Sequence, residues 1–439
     1  MNAHQALDAQ TDTSMGIPRR YAWIVFALTF GLLISDYMSR QVLNAVFPLL
    51  KSEWMLTDSQ LGWLSGIVAL MVGLLTLPLS FLADRFGRVK SLTIMAVLWS
   101  LATLGCALAE NYGQMFTARF LVGVGEAAYG SVGIAVVMAI FPKEMRATLA
   151  SAFMAGGMCG SFFGMAFGGV LAEHFGWRWA FGGMATFGLM LALLYPIVVK
   201  EKKINPSGQA YTKEQQPIKV KNALKTLYSS HTVIATYIGS GLQLFVAGAI
   251  MVWMPSYLNR YYAMPTDKAG IVAAIIVLGG AIGTVICGML SDRLGRKRAD
   301  RKTSLAIAFC LGSCLLLSAA FAIPTGTAQI ALLCLGIFIV IGTNGPSMAM
   351  VANLTHHSVH SSAFATLTIA NNLLGIALGP LVIGKLSDHV GLHDAFQLMP
   401  LMSILSAAFF FYAKRHYHND ITRLTEQGLL PPSAPQQHK

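Results

Sequence analysis

Four ionisable side chains stand inside otherwise apolar stretches of this chain: Asp36 and Arg40 within residues 21–47, Arg119 and Glu126 within residues 113–141. A charge placed in hydrocarbon is costly and by default functional. On a helix, Asp36 and Arg40 are one turn apart and share a face with Asn44, and Arg119 and Glu126 share a face with Gly123 and Gly130. With a rise of about 1.5 Å per residue, a helix entering at Tyr21 carries Asp36 roughly 22 Å and Arg40 roughly 28 Å deep. A second helix, returning to Ile140, places Glu126 roughly 21 Å and Arg119 roughly 31 Å from the same side. The two acids are then level, with both arginines beyond them. Burial favours a neutral acid, a neighbouring guanidinium favours the carboxylate, and that competition poises such a group to gain and lose a proton. The expectation is proton coupling at Glu126 and Asp36, and recognition of an anionic substrate by Arg40 and Arg119.

The elements that must hold these groups follow from composition. Of 439 residues, 55% are hydrophobic and only 11% are charged, against about 25% charged in soluble domains. A bilayer span needs roughly 20 apolar residues. Twelve such stretches occur, at 21–47, 59–83, 91–109, 113–141, 147–172, 179–199, 231–258, 268–291, 303–323, 327–350, 361–387 and 395–413. The fold class is an all-α membrane protein with twelve transmembrane helices. Lys and Arg gather in alternate connections: Arg19–Arg20, Arg85/Arg88/Lys90, Lys143/Arg146, Lys200 through Lys225, and Arg293 through Lys302. The opposite connections hold little beyond Lys51, Arg178, Arg260 and Lys268. By the positive-inside rule both termini are cytoplasmic, and the net charge of +12 reports topology rather than a nucleic-acid partner. Residues 1–18 are polar with no secretory cleavage pattern, so the first helix is expected to be the insertion signal. The six cysteines lie in apolar stretches, without metal-site or disulfide spacing, and are expected to be core residues.

The longest polar interruption, 200–230, holds seven lysines against two glutamates and divides the helices six and six. The expected organisation is a tail at 1–20, a six-helix bundle at 21–199, a central loop at 200–230, a second bundle at 231–413 and a tail at 414–439. One eight-residue pattern recurs four times: SFLADRFG (Ser80–Gly87), GVLAEHFG (Gly169–Gly176), GMLSDRLG (Gly288–Gly295) and GKLSDHVG (Gly384–Gly391). The copies follow the second and fifth helices of each half. Each half therefore reads as two inverted three-helix units, the arrangement of an alternating-access carrier. The acid sits at a helix end, where it can accept from a neighbouring helix N-terminus or pair with Arg, and the glycine permits a tight turn. Asp84, Arg85, Gly87 and Arg88, with Asp292, Arg293, Gly295 and Arg296, are expected to form a gate on the cytoplasmic side, the arginines Arg88 and Arg296 anchoring the loop at the inner leaflet.

SFLADRFGRVK (Ser80–Lys90) and GMLSDRLGRKR (Gly288–Arg298) resemble the signature loop of the major facilitator superfamily, with Ser80 in place of the usual glycine. RFLVGVGEAAYG (Arg119–Gly130) and DYMSRQVLN (Asp36–Asn44), followed by TDSQLGWL, resemble two of its branches: the spinster-like carriers of lysolipids and other amphiphiles, and the organic anion symporters with an Asp-Arg pair on helix 1. Glu126 matches both. Ser39 stands where the symporters have that Asp, and Asp36 lies one turn earlier.

The second half offers uncharged groups instead: Gln243, Asn344 and the pair Asn371–Asn372, which suit substrate recognition. His356, His357 and His360 fall in the loop after the tenth stretch and read as ordinary loop residues. No nucleophile–base set, phosphate loop, haem or zinc motif occurs, so no enzyme, cofactor or metal is expected. The function expected is proton-coupled symport of a small organic acid, aromatic or hydroxylated, by a monomer in a bacterial inner membrane. The alternative is a spinster-like exporter of lysophospholipid or another amphiphile.

Overall fold

A computed structural model describes residues 18–142, 145–204, 230–295, 300–355 and 360–426. Arg296, His356 and His357 lie outside the described residues, as do most of the central loop and both tails. Twelve helices are long and apolar enough to cross a membrane. They are α1 (Arg19–Trp54), α2 (Asp58–Phe86), α3 (Arg88–Ala107), α4 (Tyr112–Ile140), α5 (Arg146–Phe175), α6 (Trp177–Val198), α7 (His231–Tyr262), α8 (Thr266–Gly295), α9 (Asp300–Ala322), α10 (Thr327–Asn353), α11 (His360 to Val390) and α12 (Leu392–Glu426). The protein is a multi-pass, all-helical membrane protein, as its hydropathy implies. In hydrocarbon every backbone amide must be satisfied within its own segment, which leaves helices as the solution for such stretches. Large apolar side chains such as Phe81, Ile197 and Leu315 stand exposed on helix surfaces, where a bilayer rather than water would meet them.

Among the described residues two compact units are formed, one within 1–55, 74–214 and 265–274, the other within 56–73, 215–264 and 275–439. In the first, α1 packs along α5 and α6, and α3 packs along α4 and α6. In the second, α7 packs along α11 and α12, and α9 along α10 and α12. The same pairing recurs six helices on, as the internal repeat requires. The first unit's core gathers Trp99, Tyr129, Phe153 and Tyr195. The Trp99 and Tyr129 rings meet edge to face at 5.0 Å between centroids. The second unit carries smaller clusters, one around Val233, Tyr237, Val351, Leu354 and Tyr417.

Three of the four copies of the eight-residue pattern form a helix–glycine–helix corner; Gly295 of the other is the last residue of α8. Gly87, Gly176 and Gly391 hold φ of +100°, +91° and +87°, a region glycine enters without steric penalty. Each ends one helix and precedes the first residue of the next: α2 to α3, α5 to α6, α11 to α12.

Three spans are less regular than their apolar patterns suggest. α4 is interrupted at Ala127–Ala128, between Tyr112–Glu126 and Tyr129–Ile140. The Ala127 carbonyl accepts instead from the Thr76 hydroxyl at 2.6 Å, and Tyr129 Oη donates to the Thr29 carbonyl at 2.6 Å. α10 tightens into a 3₁₀ turn at Ile341–Thr343, and α11 widens into a π-helical segment at Asn371–Ala377. Such departures concentrate at functional positions.

A close helix contact accompanies the charged residues. A Cβ on Gly160 of α5 would lie 2.5 Å from the Ile34 carbonyl and 2.8 Å from Tyr37 Cβ, so α1 approaches where only glycine fits. Gly160→Leu should therefore destabilise the protein by about 1–3 kcal/mol, the usual cost of overpacking. Thermal melting in detergent checks this, with Gly182→Ala, which meets nothing within 4 Å, expected to melt as the parent does.

Candidate transport site

The first unit brings Asp36, Arg40, Arg119 and Glu126 into one cluster around Ser39. Arg40 Nε lies 2.7 Å from Glu126 Oε2 and 3.1 Å from Asp36 Oδ1, so one guanidinium bridges both acids. Arg40 Nη2 also donates to Asp36 Oδ2 at 3.5 Å. Ser39 Oγ lies 2.9 Å from Glu126 Oε1 and 2.8 Å from the Asp36 carbonyl oxygen, within donating distance of both. The Ser39 carbonyl in turn accepts from Arg119 Nη1 at 2.9 Å. Arg119 thus reaches the cluster through α1 backbone, from a fully buried position. The Tyr37 ring carries the Arg40 guanidinium carbon at 5.1 Å from its centroid, a cation–π contact.

Local sequence explains the placement. Asp36 and Arg40 are i and i+4 on α1, with Ser39 three residues after Asp36, so all three project toward α4. Glu126 is the last regular residue of its helical segment, and the interruption begins immediately after it. Two carboxylates and two guanidinium groups balance formally to zero. The side chains of Asp36 and Glu126 are 2% and 0% exposed, whereas that of Arg40 is 20% exposed, which makes Arg40 the member of the cluster within reach of a ligand. Arg119 is the buried member and ties α4 to α1 rather than meeting solvent.

The uncharged candidates belong to the second unit. Gln243 is fully buried and its Nε2 donates to Ser313 Oγ at 2.9 Å, joining α7 to α9. Asn344 follows the 3₁₀ turn of α10, and Asn371 and Asn372 open the π segment of α11. Asn372 Nδ2 donates to the Thr368 carbonyl at 2.9 Å, within its own helix. The side-chain oxygens of Gln243, Asn344 and Asn371 are buried without a hydrogen-bond partner among the described residues.

The corner residues expected to gate lie at the other ends of α2 and α8. Asp84 accepts from Arg88 Nε at 3.0 Å, and Asp292 lies 3.0 Å from Lys302 Nζ. Arg88, expected to anchor at the inner leaflet, is half-buried and makes contacts within the protein. It folds back over the corner to Asp84 and donates from Nη1 to the Ala135 carbonyl at 3.3 Å. Arg85 and Arg293 are exposed. Sequence reasoning missed two partners here. Glu201, just after α6, accepts from the backbone N of Arg88 and Val89 at 3.2 and 2.7 Å, capping α3. Asp58 pairs with Arg260 through contacts of 2.7 and 2.6 Å. Neither carried a signal beyond its charge, since both sit at helix ends where charges are common.

Residues 29–376 match the family model of the Major Facilitator Superfamily. The chain belongs to the major facilitator superfamily. Within that family it is 27% identical to protein spinster homolog 1 of Xenopus laevis, over 96% of this chain and 86% of that protein. It is 25% identical to the sphingosine-1-phosphate transporter SPNS2 of Danio rerio, over 93% of this chain and 87% of that protein. Its fold superposes with a TM-score of 0.84, at 20% identity, on the crystal structure of a bacterial homolog of the human lysosomal transporter spinster, inward-facing and unoccupied, covering 95% of this chain and all of that one. This superfamily member is a transporter and not an enzyme, and the spinster-like resemblance holds.

Removing Arg40 leaves Asp36 and Glu126 facing each other with no bridging cation, and breaking such a buried pair costs about 3–5 kcal/mol. Arg40→Met should melt well below the parent, and adding Glu126→Gln should recover most of the loss. A double-mutant cycle in detergent measures both.

Proposed function

We propose that this transporter is a proton-coupled carrier of an anionic organic substrate, taken at Arg40, with Glu126 or Asp36 carrying the proton. One observation supports the reading above others: a single, partly accessible guanidinium held between two buried carboxylates. The cluster is formally neutral at rest. A substrate anion arriving at Arg40 adds one negative charge in a region where unbalanced charge is expensive. A proton taken by either carboxylate restores balance and releases Arg40 to the substrate. Leaving of the anion reverses both steps. Substrate and proton are thereby stoichiometrically linked by charge compensation alone, in a monomer whose termini face the cytoplasm of a bacterial inner membrane.

Two substrate classes share this chemistry. An anionic single-chain amphiphile is favoured by the relatives, which include a sphingosine-1-phosphate transporter. A small organic acid is favoured by the Asp36–Arg40 pair one turn apart on α1.

Liposomes holding a pH-sensitive dye, challenged with lysophospholipids, sphingoid phosphates and small organic acids, separate these readings. Substrate-driven acidification should appear with one class, fall to background in Glu126→Gln, and vanish with Arg40→Met. Substrate movement unaccompanied by any pH change, and unaffected by Glu126→Gln, would refute proton coupling.

A further inference from the structure

The α3–α4 pair carries a groove that neither the charge cluster nor the corners use. A cavity of about 640 Å³ opens along it. Leu98, Leu101 and Gly105 line it from α3, and Gln114, Ala118 and Leu121 from α4. On each helix these residues are three or four apart, so each set forms one stripe. Small residues make the floor: a Cβ on Gly105 would meet only the Ala118 Cβ, at 3.6 Å. Leu101 and Leu121 are 49% and 39% exposed, so the groove opens away from the buried core. Arg119 and Glu126 leave α4 by another face, toward α1.

Position decides what fills the groove. Both walls belong to membrane-spanning helices, where the surrounding molecule is lipid and a void forfeits its dispersion contacts. Asn111 stands just before α4, and at about 1.5 Å per residue Leu121 lies roughly 15 Å deeper. That is half of a hydrocarbon core about 30 Å thick, the depth of one leaflet.

The groove is polar at its shallow end and apolar below. Asn111 Oδ1 accepts from the Gln114 backbone N at 3.0 Å, and Gln114 Oε1 accepts from the Glu110 backbone N at 2.8 Å. Each amide spends its oxygen on backbone and keeps its NH2 group as a donor at the lip. Arg178 Nη2 donates to the Ala109 carbonyl at 3.3 Å, which sets a guanidinium beside the lip. Glu53 pairs with that guanidinium at 2.8 Å, and Glu110 is exposed next to Asn111. The lip therefore mixes donors, one cation and two acids.

We infer that this groove binds one phospholipid of the leaflet opposite the N-terminus of α1. An acyl chain lies along Leu98, Leu101 and Leu121, and a zwitterionic headgroup sits at Asn111 and Gln114. The phosphate accepts from the two NH2 groups, and the headgroup ammonium meets Glu110. A net anionic headgroup would instead be repelled by Glu110. The bound chain braces α3 against α4 on helices whose other faces hold the transport cluster. The site depends neither on the transported substrate nor on proton coupling.

Native mass spectrometry of the full-length protein in mild detergent tests this, with equal amounts of phosphatidylethanolamine and phosphatidylglycerol of matched chains. The parent should retain one phosphatidylethanolamine in preference to phosphatidylglycerol. Gly105→Leu should lower that retention roughly tenfold, as expected if the leucine side chain displaces about two methylene groups of the lipid. Gln114→Ala should keep a bound lipid and lose the headgroup preference. Arg40→Met/Glu126→Gln, altered at the transport site, should retain the lipid as the parent does. Equal retention by the parent and Gly105→Leu would overturn the inference, as would a preference for phosphatidylglycerol or loss in the transport-site variant alone. Should Gly105→Leu not fold, Thr117→Phe fills the groove from an exposed position on the α4 wall and is read in the same way.

Discussion

A carboxylate seated on the first amides of a helix other than its own is the contact on which this structure repeatedly depends. Glu201 serves α3, Asp388 serves α2, Glu173 serves α8, and Asp420 of α12 accepts from the Thr232 amide at 2.8 Å and from the α7 N-cap Ser230 at 2.8 Å. Lipid offers no hydrogen bonds to a helix end, and the ends of long apolar helices have few side chains able to cap themselves. Borrowing an acid from a neighbour satisfies the orphan amides and fixes which helix ends lie together. Hydrophobic burial cannot do this alone, because the surrounding hydrocarbon is as apolar as the helix faces.

The same economy of polar groups governs the interior. One guanidinium serves two acids, and Ser39 links them to Arg119 by using its hydroxyl toward the acids and its carbonyl toward the arginine. A network this connected is destabilised by the loss of any one partner and responds as a unit to the gain of a charge. The close approach of α1 to α5 at Gly160 keeps its α1 members in register, since Ile34 and Tyr37 are pressed against the glycine face. Mid-membrane chemistry and helix packing are thus set by the same two turns of α1.

Much of this was legible in the residues. Charges inside apolar stretches announced Asp36, Arg40, Arg119 and Glu126, because hydrocarbon tolerates none without cause. The twelve spans followed from length and hydropathy, and the corner motif followed from its repetition. Ser39 was visible only as a departure from a pattern; its bridging role depends on α4 lying opposite, which no local pattern states. The interruption at Ala127–Ala128 has no sequence signature, since alanine is a strong helix former; Thr76 and Tyr129 impose it through tertiary hydrogen bonds. The π segment at Asn371 is equally silent. The partners of Glu173 and Asp388 were hidden for a simpler reason: they are backbone amides, and backbone carries no sequence.

The corner motif joins two functions that can be separated. Its glycine turns the backbone at Gly87, Gly176 and Gly391, while its acid takes a basic side chain at Asp84 and Asp292 and backbone amides at Glu173 and Asp388. The basic residues differ between copies: Arg85 and Arg88 follow Asp84 and Arg293 follows Asp292, whereas His174 and Phe175 follow Glu173, and His389 and Val390 follow Asp388. Structure is therefore written in the orientation-neutral part of the motif, and the direction of insertion in the removable part. By the positive-inside rule such arginines bias which way a membrane receives a three-helix unit. Such a unit can be duplicated, inverted and fused without first inventing a new fold.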